Sequence, residues 1–208
     1  MKLKSLIPLF IAIVGLVCLP LFIHNPYYIH LVETILIYTI LLYGLDIVVG
    51  YVGQVSLGHA ALFGIGSYTA GVLYFHFGLP IWATIPASIV VTSIFGGILA
   101  LPALKVVGPY LAMVTLAFGT IAQILINEMT WLTEGPLGIK IPKPELMGVP
   151  MTKAEFFWLV SAILIIAMIV VDRFVKSQIG RAFEALRDSP IACDCMGVSV
   201  YRFKVIAF

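Results

Sequence analysis

Residues 177–201 read SQIGRAFEALRDSPIACDCMGVSVY. This is the longest polar interval of the chain, and it carries Arg181, Glu184, Arg187, Asp188 and Asp194 between two apolar segments. The 208 residues as a whole are 62% hydrophobic and 11% charged, whereas a soluble domain carries about 25% charged residues because its surface faces water. The interval therefore reads as a polar, helix-prone loop between membrane spans. The fold expected is all-α, a polytopic transmembrane helix bundle of about six spans with the start of a seventh. The net charge of +2 is too small to suggest nucleic acid.

Upstream of the interval, 156–171 is an apolar span that ends at Asp172-Arg173. The residues 128–155 before it form a Pro- and Gly-rich loop. Gly108-Pro109 opens a span that runs to about Asn127, since Pro suits the first position of a helix. Residues 81–104 make another span, in which Pro86 and Pro102 kink the helix or mark its ends. The segment GYVGQVSLGHAALFGIGSYTAG at 50–71 has small residues at helical spacing, which lets neighbouring backbones approach closely. Its glycines before His59 also permit an unwound or re-entrant turn, whose free backbone groups must line protein or a wet cavity. Residues 29–49 form a span with Glu33 and Asp46 within or near its ends, either snorkelling to water or serving a pathway. The first span is 6–23, which follows Lys2 and Lys4 and lacks a small-x-small cleavage site, so it reads as a retained helix rather than a signal peptide. Downstream, 201–208 is an apolar run too short to cross a bilayer, so the chain reads as C-terminally incomplete.

Basic residues orient the bundle. With the first lysines inside and six alternating spans, the inside segments hold nine of the 12 Lys and Arg: Lys2, Lys4, Lys105, Arg173, Lys176, Arg181, Arg187, Arg202 and Lys204. Lys140, Lys143 and Lys153 fall outside. The positive-inside rule then puts the N-terminus and the opening interval in the cytoplasm.

No enzyme constellation stands out. His24, His30, His59 and His76 are scattered, and no HExxH, GxSxG or GxxxxGK[ST] motif occurs. No cofactor is implied. Cys193 and Cys195 form a CxC pair with no His in the same loop and Cys18 far away, so packing is favoured over a metal site. Without a phosphate-binding loop, active transport must draw its energy from a partner or an ion gradient.

Four ordered blocks carry a resemblance. GLDIVVGYVGQVSLGHAALFGIGSYTAG (44–71), GPYLAMVTLAFGTI (108–121), TEGPLGI (133–139) and GRAFEALRDSPIACDCMGVSVYRFKVIAF (180–208) look like successive blocks of the LivM-type permeases of branched-chain amino acid ABC importers. The third block departs from the family's usual TGGPNGI: Glu134 stands for Gly and Leu137 for Asn. The resemblance implies a cell inner membrane subunit in a single transmembrane permease domain, 1–208, incomplete at its end. Its implied partners are two cytoplasmic ABC ATPases, a second, LivH-like permease and an extracytoplasmic substrate-binding protein. Closely related permeases serve urea and short-chain amides, which leaves the cargo open. An ion-driven transporter using Glu33, Asp46 and His59 is the other reading.

The resemblance assigns 177–200 to the loop that couples to the ATPase, with Arg181, Glu184, Ala185, Arg187, Asp188 and Gly197 as its residues. The local sequence agrees with a helix: Ala182, Phe183, Ala185 and Leu186 favour it, Ser189-Pro190 breaks it, and Gly197 offers a stop. Glu184 between Arg181 and Arg187 gives a charged face, and Phe183 and Leu186 are expected to fill a pocket on the partner. For a substrate pathway the candidates are Ser56, His59, Thr115, Gln123 and Asn127. Thr115, Thr120, Gln123 and Asn127 form a polar stripe at mostly helical spacing, which suits interhelix hydrogen bonding as well as a path. His59 is either a satisfied packing histidine or a ligand.

Overall fold

Asn25-Pro26 starts the first helix. Asn25 Oδ1 accepts from Tyr27 N at 3.0 Å, and Pro26 occupies the first helical position, where no N–H is needed. In the computed structural model the described residues are 20, 25–104, 106, 108–141, 145–146 and 149–208. Apart from Pro20, the expected first span at 6–23 falls outside them, as do Lys105 and Lys143.

Helix α1 (Pro26–Asp46) runs on into a π-helical turn at Ile47–Tyr51. Its buried residues Ile29 and Leu36 pack against Phe157, Val160 and Leu164 of α6 (Lys153–Val175). Glu33, on the same face, is buried, and its Oε2 lies 3.6 Å from Nδ1 of His30. A capping box starts α6: Thr152 N donates to Glu155 Oε2 at 2.8 Å and Glu155 N donates to Thr152 Oγ1 at 3.4 Å.

Between these partners the chain makes a second group of helices. Helix α2 (His59–Phe77) closes at Gly78, whose φ of +61° lets the chain reverse, and Pro80 precedes α3 (Ile81–Ala103). The α2–α3 pairing is the most extensive in the bundle. Small residues allow it: a Cβ on Gly66 would lie 3.0 Å from Thr92 Oγ1. Helix α4 (Pro109–Glu128) packs on both, while α1 barely touches α2. The glycines before His59 leave open an unwound or a re-entrant turn; the chain is unwound at 52–58, and α2 beyond it is a continuous helix of 19 residues. Among the described residues five helices are long and apolar enough to cross a membrane, and they correspond to the second to sixth expected spans.

The loop after α4 holds α5 (Thr130–Thr133), a 3-10 turn at Gly135–Leu137 and a minimal antiparallel pair, β1 (Glu145–Leu146) with β2 (Val149–Pro150). Thr133 Oγ1 lies 2.5 Å from the Ile126 carbonyl and accepts from Gly135 N at 3.3 Å, tying the turn to α4. Glu134 has a φ of 59°, the left-handed conformation that glycine adopts without a Cβ penalty. Glu134→Gly is therefore expected to stabilise the protein by about 1 kcal/mol, read as a raised melting temperature in detergent. An unchanged or lower value would show that the Glu134 side chain offsets the strain.

At the other end of the bundle α6 turns sharply into α7 (Gln178–Asp188), followed by α8 (Pro190–Cys195) and α9 (Val200–Ala207). The helix breaks at Ser189-Pro190 as the sequence predicts, α7 ending at Asp188, and Pro190 opens a new helix with Ser189 Oγ accepting from Ala192 N at 3.3 Å. Gly197, at φ +79°, ends that helix as expected.

Candidate functional site

Two features sit together at the α7 end: a break in the membrane-embedded chain and the helical layer that packs on it. The break begins in the π turn, where Val52 N donates to Ile47 O at 3.2 Å and Gln54 N to Val48 O at 3.0 Å. Such wide turns release backbone groups from the ordinary ladder. Gly53 then takes a φ of +73°, and the chain stays irregular through Gly58 before α2 starts. Irregular backbone at this depth needs protein partners. One is Thr115 of α4, fully buried, whose Oγ1 accepts from Leu57 N at 2.9 Å and donates to Ala112 O at 3.0 Å. Gly58 lets the break sit close: a Cβ there would lie 3.1 Å from both Leu99 Cδ2 and the Thr115 carbonyl oxygen.

This stretch is polar and incompletely satisfied. Gln54 and Ser56 are buried, and Gln54 Oε1, Ser56 Oγ and His59 Nδ1 have no hydrogen-bond partner among the described residues. Each orphaned buried group costs about 1–3 kcal/mol. His59 projects toward α1, where a Cβ on Gly44 would lie 2.8 Å from its Nε2.

The pathway candidates therefore do not form one site. Thr115 meets Leu57 and Gly58, the residues just after Ser56, at the junction of the break with α4, and His59 follows but faces α1. Gln123 and Asn127 are exposed farther along α4. At about 100° per residue, positions eight and twelve residues beyond Thr115 lie roughly 80° and 120° around the helix from it. Nearer them, α2, α3 and α4 enclose a cavity of about 350 Å³ lined by Val72, Phe95, Phe118, Leu125 and Leu132. No charged side chain lines it, and its polar lining residues are Tyr68, Thr69 and Thr133.

The layer beyond the break is amphipathic. Phe183 and Leu186, expected to fill a pocket on a partner, are buried inside the chain itself with Val52 and Cys193. Phe183 lies 5.8 Å from Phe174 and 6.3 Å from Phe203 between ring centroids. The expectation fails because the chain supplies the pocket itself, from Phe174, Cys193 and Phe203 nearby and from Val52 about 130 positions upstream, which the local pattern does not reveal. Arg181, Glu184, Ala185 and Asp188 share the opposite, exposed face at i, i+3, i+4 and i+7. Among the described residues Glu184 pairs with neither Arg181 nor Arg187. Arg187, half-exposed, instead reaches back to the bundle: its Nη1 donates to Gly50 O at 2.9 Å, while its Nε lies 3.7 Å from Asp188 Oδ1.

Two apolar residues that the sequence reading passes over stand out in α8 and just after it. Ile191 is 80% and Met196 83% exposed. Their signal in the sequence is an unbranched Met and an Ile in a polar loop, with no helical period connecting them to Phe183 and Leu186. Among the described residues no group of three His, Cys, Asp or Glu is arranged to hold a metal ion.

A family model for branched-chain amino acid transport system permease components matches residues 27–208. The chain is 37% identical over 198 residues to the high-affinity branched-chain amino acid transport system permease protein LivM of Salmonella typhimurium. It is 36% identical over 198 residues to LivM of Escherichia coli. Each match covers 83% of this chain and 47% of the relative, so the chain spans about half the length of the curated relatives it matches. No solved structure matches it. The family match runs from the head of α1 through the break and the α7 layer to Phe208, and the chain, a multi-pass membrane protein, belongs to the family of branched-chain amino acid transport system permease components.

Proposed function

We propose that the chain forms part of the translocation unit of an ATP-driven importer for leucine, isoleucine and valine, delivered by an extracytoplasmic binding protein. The observation that carries this reading is the α7–α8 face. It is exposed, charged through Arg181, Glu184 and Asp188, and carries two apolar residues in water, Ile191 and Met196. Large apolar side chains left exposed outside a spanning segment suit a protein partner. A cytoplasmic ATPase fits the chemistry, since the chain contains no nucleotide-binding motif to power itself. On this reading the α7 end is cytoplasmic in the cell inner membrane, and 177–200 is the coupling loop within one permease domain. A second permease and a pair of ATPases complete the assembly. The cargo follows the relatives named for branched-chain amino acids.

Gln123 and Asn127 then fit a path shared with the second permease, because their exposed amides favour water or another protein over lipid. Ser56, His59 and Thr115 belong on this reading to the moving part at the break.

The test is reconstitution of the chain with its second permease, ATPases and binding protein. Co-purification of the ATPases and ATP-dependent leucine uptake are expected. Glu184→Lys should lower uptake at least about tenfold by placing a cation where the partner meets an anion, a coupling loss of ordinary size. Uptake that persists without ATPases and collapses with an uncoupler would instead support the ion-driven reading. Competition among leucine, isoleucine, valine, urea and amides decides the cargo.

A further inference from the structure

Arg187 belongs to the outer layer yet grips the membrane-embedded chain. Its Nη1 reaches Gly50 O at 2.9 Å, 137 residues away in sequence. Its aliphatic stem lies over Gly53, where a Cβ would stand 2.7 Å from Arg187 Cγ and where φ is +73°. Glycine is thus required twice at one position, for the backbone turn and for the stem above it. Beside it Val52 packs with Phe183, Leu186 and Cys193. One charged hydrogen bond, one close approach and one apolar contact tie α7 to residues 50–53.

The far end of the break is tied as well, through Leu57 N and Thr115 Oγ1. Between the two anchors, Gln54 Oε1 and Ser56 Oγ are buried without partners, and His59 Nδ1 follows at the start of α2. Polar groups left without partners between two fixed points are free to gain them in a second arrangement of the segment.

We propose that Arg187 is a positioning residue that ties α7 to the break, so that displacement of α7 moves residues 50–53 and switches the path of 54–58 together with the Leu57–Thr115 contact. This rests on the reading of α7 as the ATPase-coupled helix. It differs in giving Arg187, at the half-exposed edge of that helix, the link to the bundle through Gly50 and Gly53 rather than a docking contact.

Arg187→Met, Arg187→Lys and Thr115→Val are made in the reconstituted complex, with ATPase co-purification, ATP hydrolysis and uptake per ATP read for each. Arg187→Met is expected to keep the ATPases bound and hydrolysis within about twofold, while uptake per ATP falls about tenfold. Arg187→Lys, which still offers a charged donor, should recover part of that loss. Thr115→Val should act in the same direction with no effect on ATPase binding.

Unchanged uptake per ATP in Arg187→Met overturns the proposal, and so does loss of the ATPases, which would make Arg187 a docking residue. If Arg187→Met does not accumulate in the membrane, Thr115→Val and Arg187→Lys decide: uptake per ATP equal to wild type in both overturns it. Failure of the unaltered chain to bind ATPase is a separate result, against the proposed function and not against the Arg187 link.

Discussion

Gly180→Ala is expected to unseat α7 from the end of α6. A Cβ at this position overlaps the carbonyl oxygen of Val175, a backbone atom that cannot rotate aside. The corner can accept it only by opening, and it is closely bonded. Ser177 N donates to Phe174 O at 3.1 Å, Ser177 Oγ donates to the same oxygen at 2.6 Å, and Ile179 N donates to Ser177 Oγ at 3.2 Å. Overpacking together with the loss of one or two such bonds amounts to about 3 kcal/mol. Trypsin cleavage at Lys176 and Arg181 in membrane vesicles should accelerate at least about tenfold, as the local opening free energy falls. Cleavage at the wild-type rate would mean that the corner adjusts without losing its bonds.

Phe183→Ala attacks the same layer from its core. Phe183 is 0% exposed, with Phe174 of α6 and Phe203 of α9 on its two sides. This cluster sits at the end of the spanning helices, joining Phe174 of α6 to the α7–α9 layer. Truncation of a buried Phe costs about 3–5 kcal/mol, which exceeds what a three-helix layer of this size can lose while staying docked. The readout is Cys193, a buried free thiol in the same cluster. With Cys18 and Cys195 replaced by serine, maleimide should label Cys193 far faster in Phe183→Ala than in the parent. Phe183→Leu, which keeps most of the volume, should stay close to the parent. Slow labelling in both variants would show that the layer holds without its central ring.

Much of this was legible in the sequence because the bilayer imposes its own ruler. Runs of about 20 apolar residues gave α1, α2, α3, α4 and α6 nearly to their ends. The helix after Gly180 and the stop at Gly197 followed from local propensity and turn chemistry. The inward face of that helix did not follow, because Phe183 and Leu186 fit a pocket on a partner as well as one made by Val52 in the same chain. Long-range supply of a pocket leaves no mark on local periodicity. On the polar stripe of α4, Thr115 differs from Gln123 and Asn127 in azimuth, which shared composition does not reveal. The break at 52–58 was foreshadowed by its glycines, but its anchors, Thr115 on one side and Arg187 on the other, are pairings across 58 and 137 residues.

The seam between α1 and α6 has a bearing on how the protein is made. The helix that buries Glu33 is encoded more than 100 residues after it, and three other spanning helices are synthesised in between. At about 5–20 residues per second, α1 waits on the order of 6–25 s for its partner. Throughout that interval a carboxylate on an apolar helix has no α6 beside it. Until then Glu33 has only its own helix to turn to, with His30 beside it, and the packing of α1 is completed late in synthesis, when Phe157, Val160 and Leu164 arrive.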